Sequence, residues 1–321
     1  MTVPRVSVVV PVYNGGGLIA GCMASLDAQT LAPEDYEVIV VDDGSRDRTR
    51  EVAEAFAHSA RAPMRVIAQP QKKGPAAARN AGIAAARASV IAFTDADCEA
   101  DPDWLARGLA ALDADLESTG VEGRTLPKGD PGTLTHQMRN ETGGLWMTCN
   151  MLYRRSALDE VGGFDERFRL AFLEDSDVAF ALLDRGARIV WDPDVVVRHL
   201  VLPIGRRKFG REARKRFYNP LLYKKHPEMY RRHLRGVVPG LPPLHLKYMG
   251  SVGAVCVFAA AGWWIPAAVA ALPAGLFAKR VAHAYRAHDP LSMMQAAAHP
   301  FVQTYWVARG AAHFRSFSWD I

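Results

Sequence analysis

Four short β-branched runs, Val6–Val12, Tyr36–Val41, Met64–Ala68 and Ser89–Thr94, recur through the first third of the chain with alanine-rich stretches between them. A strand that is apolar at every position has no face to turn to water. Such strands, separated by helices, predict a mostly parallel α/β sheet covered on both sides. The crossovers in such a sheet are right-handed, and ligands bind beyond the carboxyl ends of its strands. The residues in that position are Tyr13-Asn14-Gly15, Asp42-Asp43-Gly44-Ser45 and Asp95-Ala96-Asp97.

The texture changes after residue 118. A turn-rich stretch from Pro127 to Gly132 precedes an apolar run from Leu145 to Tyr153, and the pattern then predicts a helix over Glu174–Arg185 and strands over Arg188–Trp191 and Val195–His199. This mixed order predicts an added antiparallel portion that completes the site. Glu174, Asp175 and Asp177 fall in the first turn of the predicted helix, where the helix dipole favours negative charge.

Charge is unevenly placed. The chain carries 39 Lys and Arg against 34 Asp and Glu, yet Arg206–Arg235 alone holds twelve basic residues against Glu212 and Glu228. A basic block beside an acidic body suits contact with phosphates or an anionic surface, the plainer alternative being a solvated helix face. No nucleic-acid-binding module accompanies it, so no nucleic-acid partner is expected. Tyr248–Ala278 then runs without a charge, broken at Gly262-Trp263-Trp264-Ile265-Pro266. It suits one long tilted membrane helix or a re-entrant hairpin hinged near Pro266, and the Lys and Arg on both flanks favour the hairpin. The tail from Leu291 to Phe317 suits an interfacial amphipathic helix, or else a soluble helical cap. The expected organisation is a catalytic domain over 1–204, a basic helical segment over 205–247 and membrane-associated helices over 248–321. Cys22, Cys98, Cys149 and Cys256 form no paired motif, which fits a reducing compartment. The first apolar run is short and contains Ser7 and Pro11, so it reads as a strand and not a signal peptide. The expected location is the cytoplasmic face of the cell membrane.

Asp95 and Asp97, one residue apart at a strand end, can both reach a hard cation such as Mg²⁺ or Mn²⁺. Alone, two acids in a loop before Pro102 could equally begin the next helix. Asp42-Asp43-Gly44-Ser45 ends another strand, where a carboxylate can accept hydrogen bonds from a base or ribose or simply cap a turn. The stretch Gly74 to Gly82 supplies small residues for close packing and one arginine, Arg79, whose fork suits phosphate.

Taken together, Val9-Val10-Pro11-Val12-Tyr13-Asn14, Val41-Asp42-Asp43-Gly44-Ser45, Gly74–Gly82, Asp95-Ala96-Asp97, Gly162-Gly163-Phe164-Asp165-Glu166 and Glu174-Asp175 resemble the family 2 glycosyltransferases of the GT-A fold. Six elements in the family's order are far more specific than any one of them. The resemblance covers roughly residues 4–200. It implies a nucleoside pocket lined by Pro11, Tyr13, Asn14 and Asp43, with Asp42 and Arg79 nearby. It also implies a metal and diphosphate held by Asp95 and Asp97, and Asp175 as general base of an inverting transfer. His199 stands where some relatives place another metal contact, although a lone histidine is more often structural. A carboxylate at a helix N-terminus is expected to stay ionised near neutral pH, the form a base requires. No Arg-Trp dipeptide occurs in the chain, so the element carried by processive synthases is missing and single-sugar transfer is expected. The expected partners are a nucleoside-diphosphate sugar, favouring uridine, and an acceptor that the basic block and apolar run mark as polyprenyl- or lipid-linked.

Two rivals compete. A nicotinamide-dependent oxidoreductase would use Gly15, Gly17 and Gly21, but the last gap is one residue too long, and Asp95 and Asp97 are left without a purpose. A catalytically inactive, membrane-tethered nucleotide-sugar-binding protein would keep the fold without the reaction. The full set of acids argues against it.

Overall fold

In the computed structural model the described residues are 3–129, 135–136, 138–203, 208–234, 243–264, five single positions between 267 and 279, and 290–316. The chain divides into two compact units with their boundary after Leu202.

In chain order the first unit contains β1 (Val6–Val12), α1 (Ile19–Asp27), β2 (Tyr36–Asp42), α2 (Thr49–Ser59), β3 (Met64–Ala68), α3 (Pro75–Ala85), β4 (Val90–Phe93) and β5 (Cys98–Ala100). There follow α4 (Trp104–Ala114), β6 (Ser118–Lys128), β7 (Thr135–His136), β8 (Met151–Arg154), α5 (Arg155–Val161), α6 (Glu174–Leu183), β9 (Arg188–Leu200) and β10 (Leu202–Pro203). Eight strands form one sheet in the order β3-β2-β1-β4-β8-β6-β9-β5. Every residue of β2 and β4 is buried, as strands apolar on both faces must be. Val6, Val8, Val10 and Val12 meet Ile19, Met23, Leu26, Trp104 and Leu105 in one core. On α3, Gly82 lets the helix come against Val9 of β1 where a Cβ would collide.

The sheet is mixed, and the expectation of a mostly parallel one is corrected. β1 to β4 pair in parallel, but β8 runs antiparallel to both β4 and β6, and β5 runs antiparallel to β9. The antiparallel portion expected after residue 118 is present in β8, whereas the antiparallel pairing of β5 was not expected, because an apolar run reports burial and not direction. The two strands expected between Arg188 and His199 are one. Its register against β6 jumps from Gly123↔Asp192 to Arg124↔Val196, bulging the strand beside Pro193, which has no N–H to give the ladder. Buried Asn150 closes the bulge by donating to Arg124 O (2.9 Å) and Val195 O (3.0 Å) while accepting from Trp104 Nε1 (2.8 Å).

The second unit contains α7 (Lys208–Lys215), α8 (Asn219–Lys225), α9 (Pro227–Leu234), α10 (Pro243–Ala260) and α11 (Pro290–Phe314). The basic block is more than a solvated face, because Tyr218, Leu221, Leu222 and Tyr230 are buried within it. The Tyr230 hydroxyl donates to Asn219 Oδ1 (2.6 Å), and Arg214 and Arg309 lie over the ring of Trp306 at 5.7 and 5.1 Å. Arg206, Arg207, Arg235 and Phe317 lie outside the described residues, as does most of 265–289 and therefore much of the expected hinge.

Among the described residues no helix is long and apolar enough to cross a membrane, and most of the 265–289 stretch that would distinguish a spanning helix from a hairpin lies outside them. α10 stops at Ala260 and the chain turns at Gly262, where φ is +76°. Val257, Trp263, Trp264, Phe301 and Tyr305 stand exposed in this unit.

Candidate active site

The first unit holds a cleft of about 300 Å³ at the carboxyl ends of its parallel strands, lined by Pro11, Tyr13, Asn14, Asp43, Arg79, Asp95 and Asp97 together with Lys72 and the Arg169–Ala171 segment. Its walls are stitched loop to loop. Asn14, at φ +51°, accepts from Arg46 N (2.9 Å), and its own N–H donates to Ser45 Oγ (2.8 Å). Both Asp43 carboxylate oxygens accept backbone N–H groups, from Lys73 at 2.7 Å and Gly74 at 2.9 Å. Asp43 thus fixes the loop that carries Lys72, whose ammonium sits 3.4 Å from the centroid of the Tyr13 ring. Asp42 does not line this cleft. It accepts from Ser45 N (3.0 Å) as a turn cap and faces a neighbouring groove.

Gly74 carries φ +107°, and a Cβ there would meet Arg169 O at 2.7 Å, so only glycine lets the start of α3 rest against this segment. Asn80, further along the same helix, donates to Phe164 O (2.8 Å) and accepts from Phe164 N (2.9 Å). It thereby holds the turn after α5, where Gly162 is left-handed and Gly163 N donates to Leu158 O (2.9 Å).

Arg79 lines the cleft as expected, but its fork is taken by two acids. It is buried and already engaged, with Nη2 donating to Asp95 and Nη1 to Glu174, both at 2.9 Å. Burial opposes its charge, but Asp95, Glu174 and Asp175 outweigh that and hold its pKa above the ordinary value. The arginine therefore ties the end of β4 to the start of α6. Leu173, just before α6, is left-handed at φ +72°, an uncommon conformation for a bulky residue. Glu174 Oε2 accepts from Phe172 N (2.7 Å) and helps to hold that conformation.

Asp175 corrects a second expectation. The helix-end N–H of Ser176 does reach its Oδ1 (2.7 Å), but burial, then Glu174, push its carboxyl up to about 7. The dipole argument omitted a desolvated neighbour of like charge.

Asp97 and His199 come together across the β5–β9 ladder, with His199 Nε2 3.5 Å from Asp97 Oδ1. Burial raises the Asp97 carboxyl above its usual range, Asp95 adds to the rise and His199 opposes it. The atoms of Asp97, Cys98 and His199 that can ligate a metal lie within 4.8 Å of one another. These donors fit a divalent cation, and a cation there would offset the clustered acids. Asp95 is outside that cluster, and one of its oxygens is taken by Arg79.

Lys72, Arg169 and Cys98 were missed in the sequence. Lys72 had a signal, since it follows β3 at a carboxyl end. Arg169 had none, because its place depends on how the loop before α6 folds back on Gly74.

The chain has known relatives in sequence and in fold. A profile described as Glycosyl transferase family 2 matches residues 7–168. The chain is 31% identical over 217 residues to glycosyltransferase AglE of Haloferax volcanii, covering 64% of this chain and 69% of that protein. It is 32% identical over 211 residues to the glycosyltransferase EpsJ of Bacillus subtilis, covering 58% of each. Against a pre-mycofactocin glycosyltransferase of Mycobacterium tuberculosis it is 31% identical over 60% of this chain and spans only 42% of that protein. Among solved structures it is similar to the mannosyltransferase PcManGT of Pyrobaculum calidifontis in complex with GDP-Man and Mn²⁺. The TM-score there is 0.64 at 20% identity, covering 96% of this chain and 88% of the other. It is also similar to TarS 1–349 of S. aureus in complex with UDP, with a TM-score of 0.52 at 18% identity, covering 99% and 94%. With half of its length matched by the family profile and the same fold in both structures, the chain belongs to glycosyl transferase family 2 and is a glycosyltransferase of the GT-A fold.

Proposed function

We propose that this glycosyltransferase moves one sugar, with inversion, from a nucleoside-diphosphate donor to a hydroxyl of a lipid-linked acceptor at the membrane surface, in cell-envelope glycan synthesis. The observation that carries the reading is the Asp95–Arg79–Glu174 link, which ties the strand end bearing Asp97 to the helix end bearing Asp175. A donor in the cleft would meet Tyr13 and Asp43 with its nucleoside, while Lys72 and Arg169 also line the cleft and would face its anionic part. Asp175 takes the acceptor proton as the acceptor oxygen attacks the anomeric carbon. A carboxyl near 7 is suited to that role, because a general base works best with a pKa close to the working pH. A divalent cation, Mg²⁺ or Mn²⁺, on Asp97 and His199 would offset charge on the departing diphosphate. UDP is the favoured nucleotide, supported by the similarity to a protein that binds it, while GDP is supported by another.

The membrane part of the proposal is supported by exposed Trp263 and Trp264 and by the basic α7–α9 segment. Sedimentation with anionic and with neutral vesicles tests it, and a chain that ignores both sinks it.

The first experiment is calorimetry of UDP and GDP with and without Mn²⁺, on wild type and Asp97→Ala. Metal-dependent binding that disappears in the variant supports the reading. No nucleotide binding under any metal condition would return the chain to the inactive, tethered alternative.

A further inference from the structure

Cys98 opens β5 directly opposite His199 in the antiparallel pairing with β9. Its Sγ lies 3.9 Å from Asp97 Oδ1, on which His199 Nε2 also converges at 3.5 Å. A tetrahedral zinc-type centre, with metal–sulfur bonds of about 2.3 Å and metal–oxygen or –nitrogen bonds of about 2.1 Å, separates its ligand atoms by about 3.4–3.6 Å. The sulfur–oxygen and nitrogen–oxygen separations are thus within a few tenths of an ångström of that geometry, and the third edge is at most 4.8 Å. His199 is also oriented as a ligand. Its Nδ1 lies 3.0 Å from Leu200 O, and since a carbonyl only accepts, Nδ1 carries the proton and Nε2 is the nitrogen directed at Asp97. Leu200 N in turn donates to Asp97 O (2.9 Å), which fixes the two backbones against each other.

We propose that Cys98 is a third protein donor beside Asp97 and His199, making the metal position a mixed oxygen–nitrogen–sulfur site that favours borderline transition cations such as Zn²⁺ and Co²⁺ over Mg²⁺. An all-oxygen position would favour a hard cation, whereas a thiolate shifts preference toward softer ones. Cys98 is almost fully buried and Asp97 is partly exposed, so a bound cation keeps an open side toward the cleft through Asp97. The proposal deepens the glycosyltransferase reading, because the position is the one assigned there to the leaving diphosphate.

The test is a Co²⁺ titration of the full chain without nucleotide, in a Cys256→Ser background because that cysteine is exposed and would bind cobalt itself. A thiolate-to-cobalt absorption band that disappears in Cys98→Ser is expected. Competition followed by Mn²⁺ paramagnetic resonance should show Zn²⁺ displacing Mn²⁺, with Zn²⁺ affinity falling in the variant by at least the roughly 10- to 100-fold that loss of a mere outer-shell partner costs. Should Cys98→Ser fail to fold, Asp97→Asn leaves the sulfur in place and is expected to weaken the same band. Cobalt binding to the parent chain with no thiolate band overturns the proposal without any further variant. Calorimetry with UDP on the same samples separates the two readings. Nucleotide binding without the band removes only the sulfur ligand, and the band without nucleotide binding removes only the glycosyltransferase donor site.

Discussion

At the scale of single residues, Asp175 sets the pH response. Its carboxyl, raised to about 7 by burial and Glu174, must be ionised to accept a proton, so turnover should fall about tenfold per pH unit below that point. Asp175→Asn should lower turnover by about 10²–10⁴-fold while nucleotide affinity holds, and an unchanged rate would remove the assignment. The same shift makes a stability statement. A carboxyl raised in the folded state favours folding below its ordinary range, and that contribution disappears as pH rises through about 7. Asp175→Asn should therefore raise Tm near pH 8, with the gain shrinking toward about pH 4, as thermal melts at both pH values would show. Arg79 has the opposite character. Its removal leaves buried Glu174 and partly buried Asp95 without their shared cation, and breaking such a pair costs about 3–5 kcal/mol. Arg79→Met should lower the unfolding free energy by an amount in that range, seen as a lower midpoint in urea titration.

At the scale of elements, α3 is the part that assembles the site. Gly74 lets its start approach the Arg169 segment, Arg79 braces β4 against α6, and Asn80 clamps the turn at Phe164. Asn80→Ala leaves the Phe164 N–H and C=O without these partners, and each unsatisfied group costs about 1–3 kcal/mol. The expected result is a lower Tm together with faster amide exchange across 162–173 while β1 and β2 stay protected. Uniform exchange throughout the chain would mean that the turn is held by something else. The small residues of this helix were visible in the sequence as a close-packing stretch. What they pack against was not, because Arg169, Phe164 and Glu174 lie some 80 to 95 residues away in the chain.

At the scale of the whole molecule, the two units differ in how far their sequence could be read. In the first unit the four opening strands, the helix at Glu174 and the strand-end loops followed from local pattern, because short β-branched runs between turn signals and helical stretches read as strands, although the edge position of β3, which carries Arg65 and has no buried residue, did not. In the second, the charge-free run from Tyr248 left a spanning helix and a re-entrant hairpin both open; α10 ends at Ala260 and the chain turns at Gly262, and most of the run beyond lies outside the described residues. Its exposed tryptophans are where a vesicle-binding defect should appear. Trp263→Ser with Trp264→Ser should weaken sedimentation with anionic vesicles and leave UDP binding unchanged. The sequence by itself determined the α/β class, the family resemblance and which acids crowd the strand ends, since each of these is written in local pattern. Only the tertiary structure decided the strand order and register, the engagement of Arg79 by two acids, the elevated Asp175 carboxyl and the meeting of Asp97, Cys98 and His199. Those depend on burial and on neighbours brought together across the fold, and both are properties of three-dimensional proximity that no local pattern encodes.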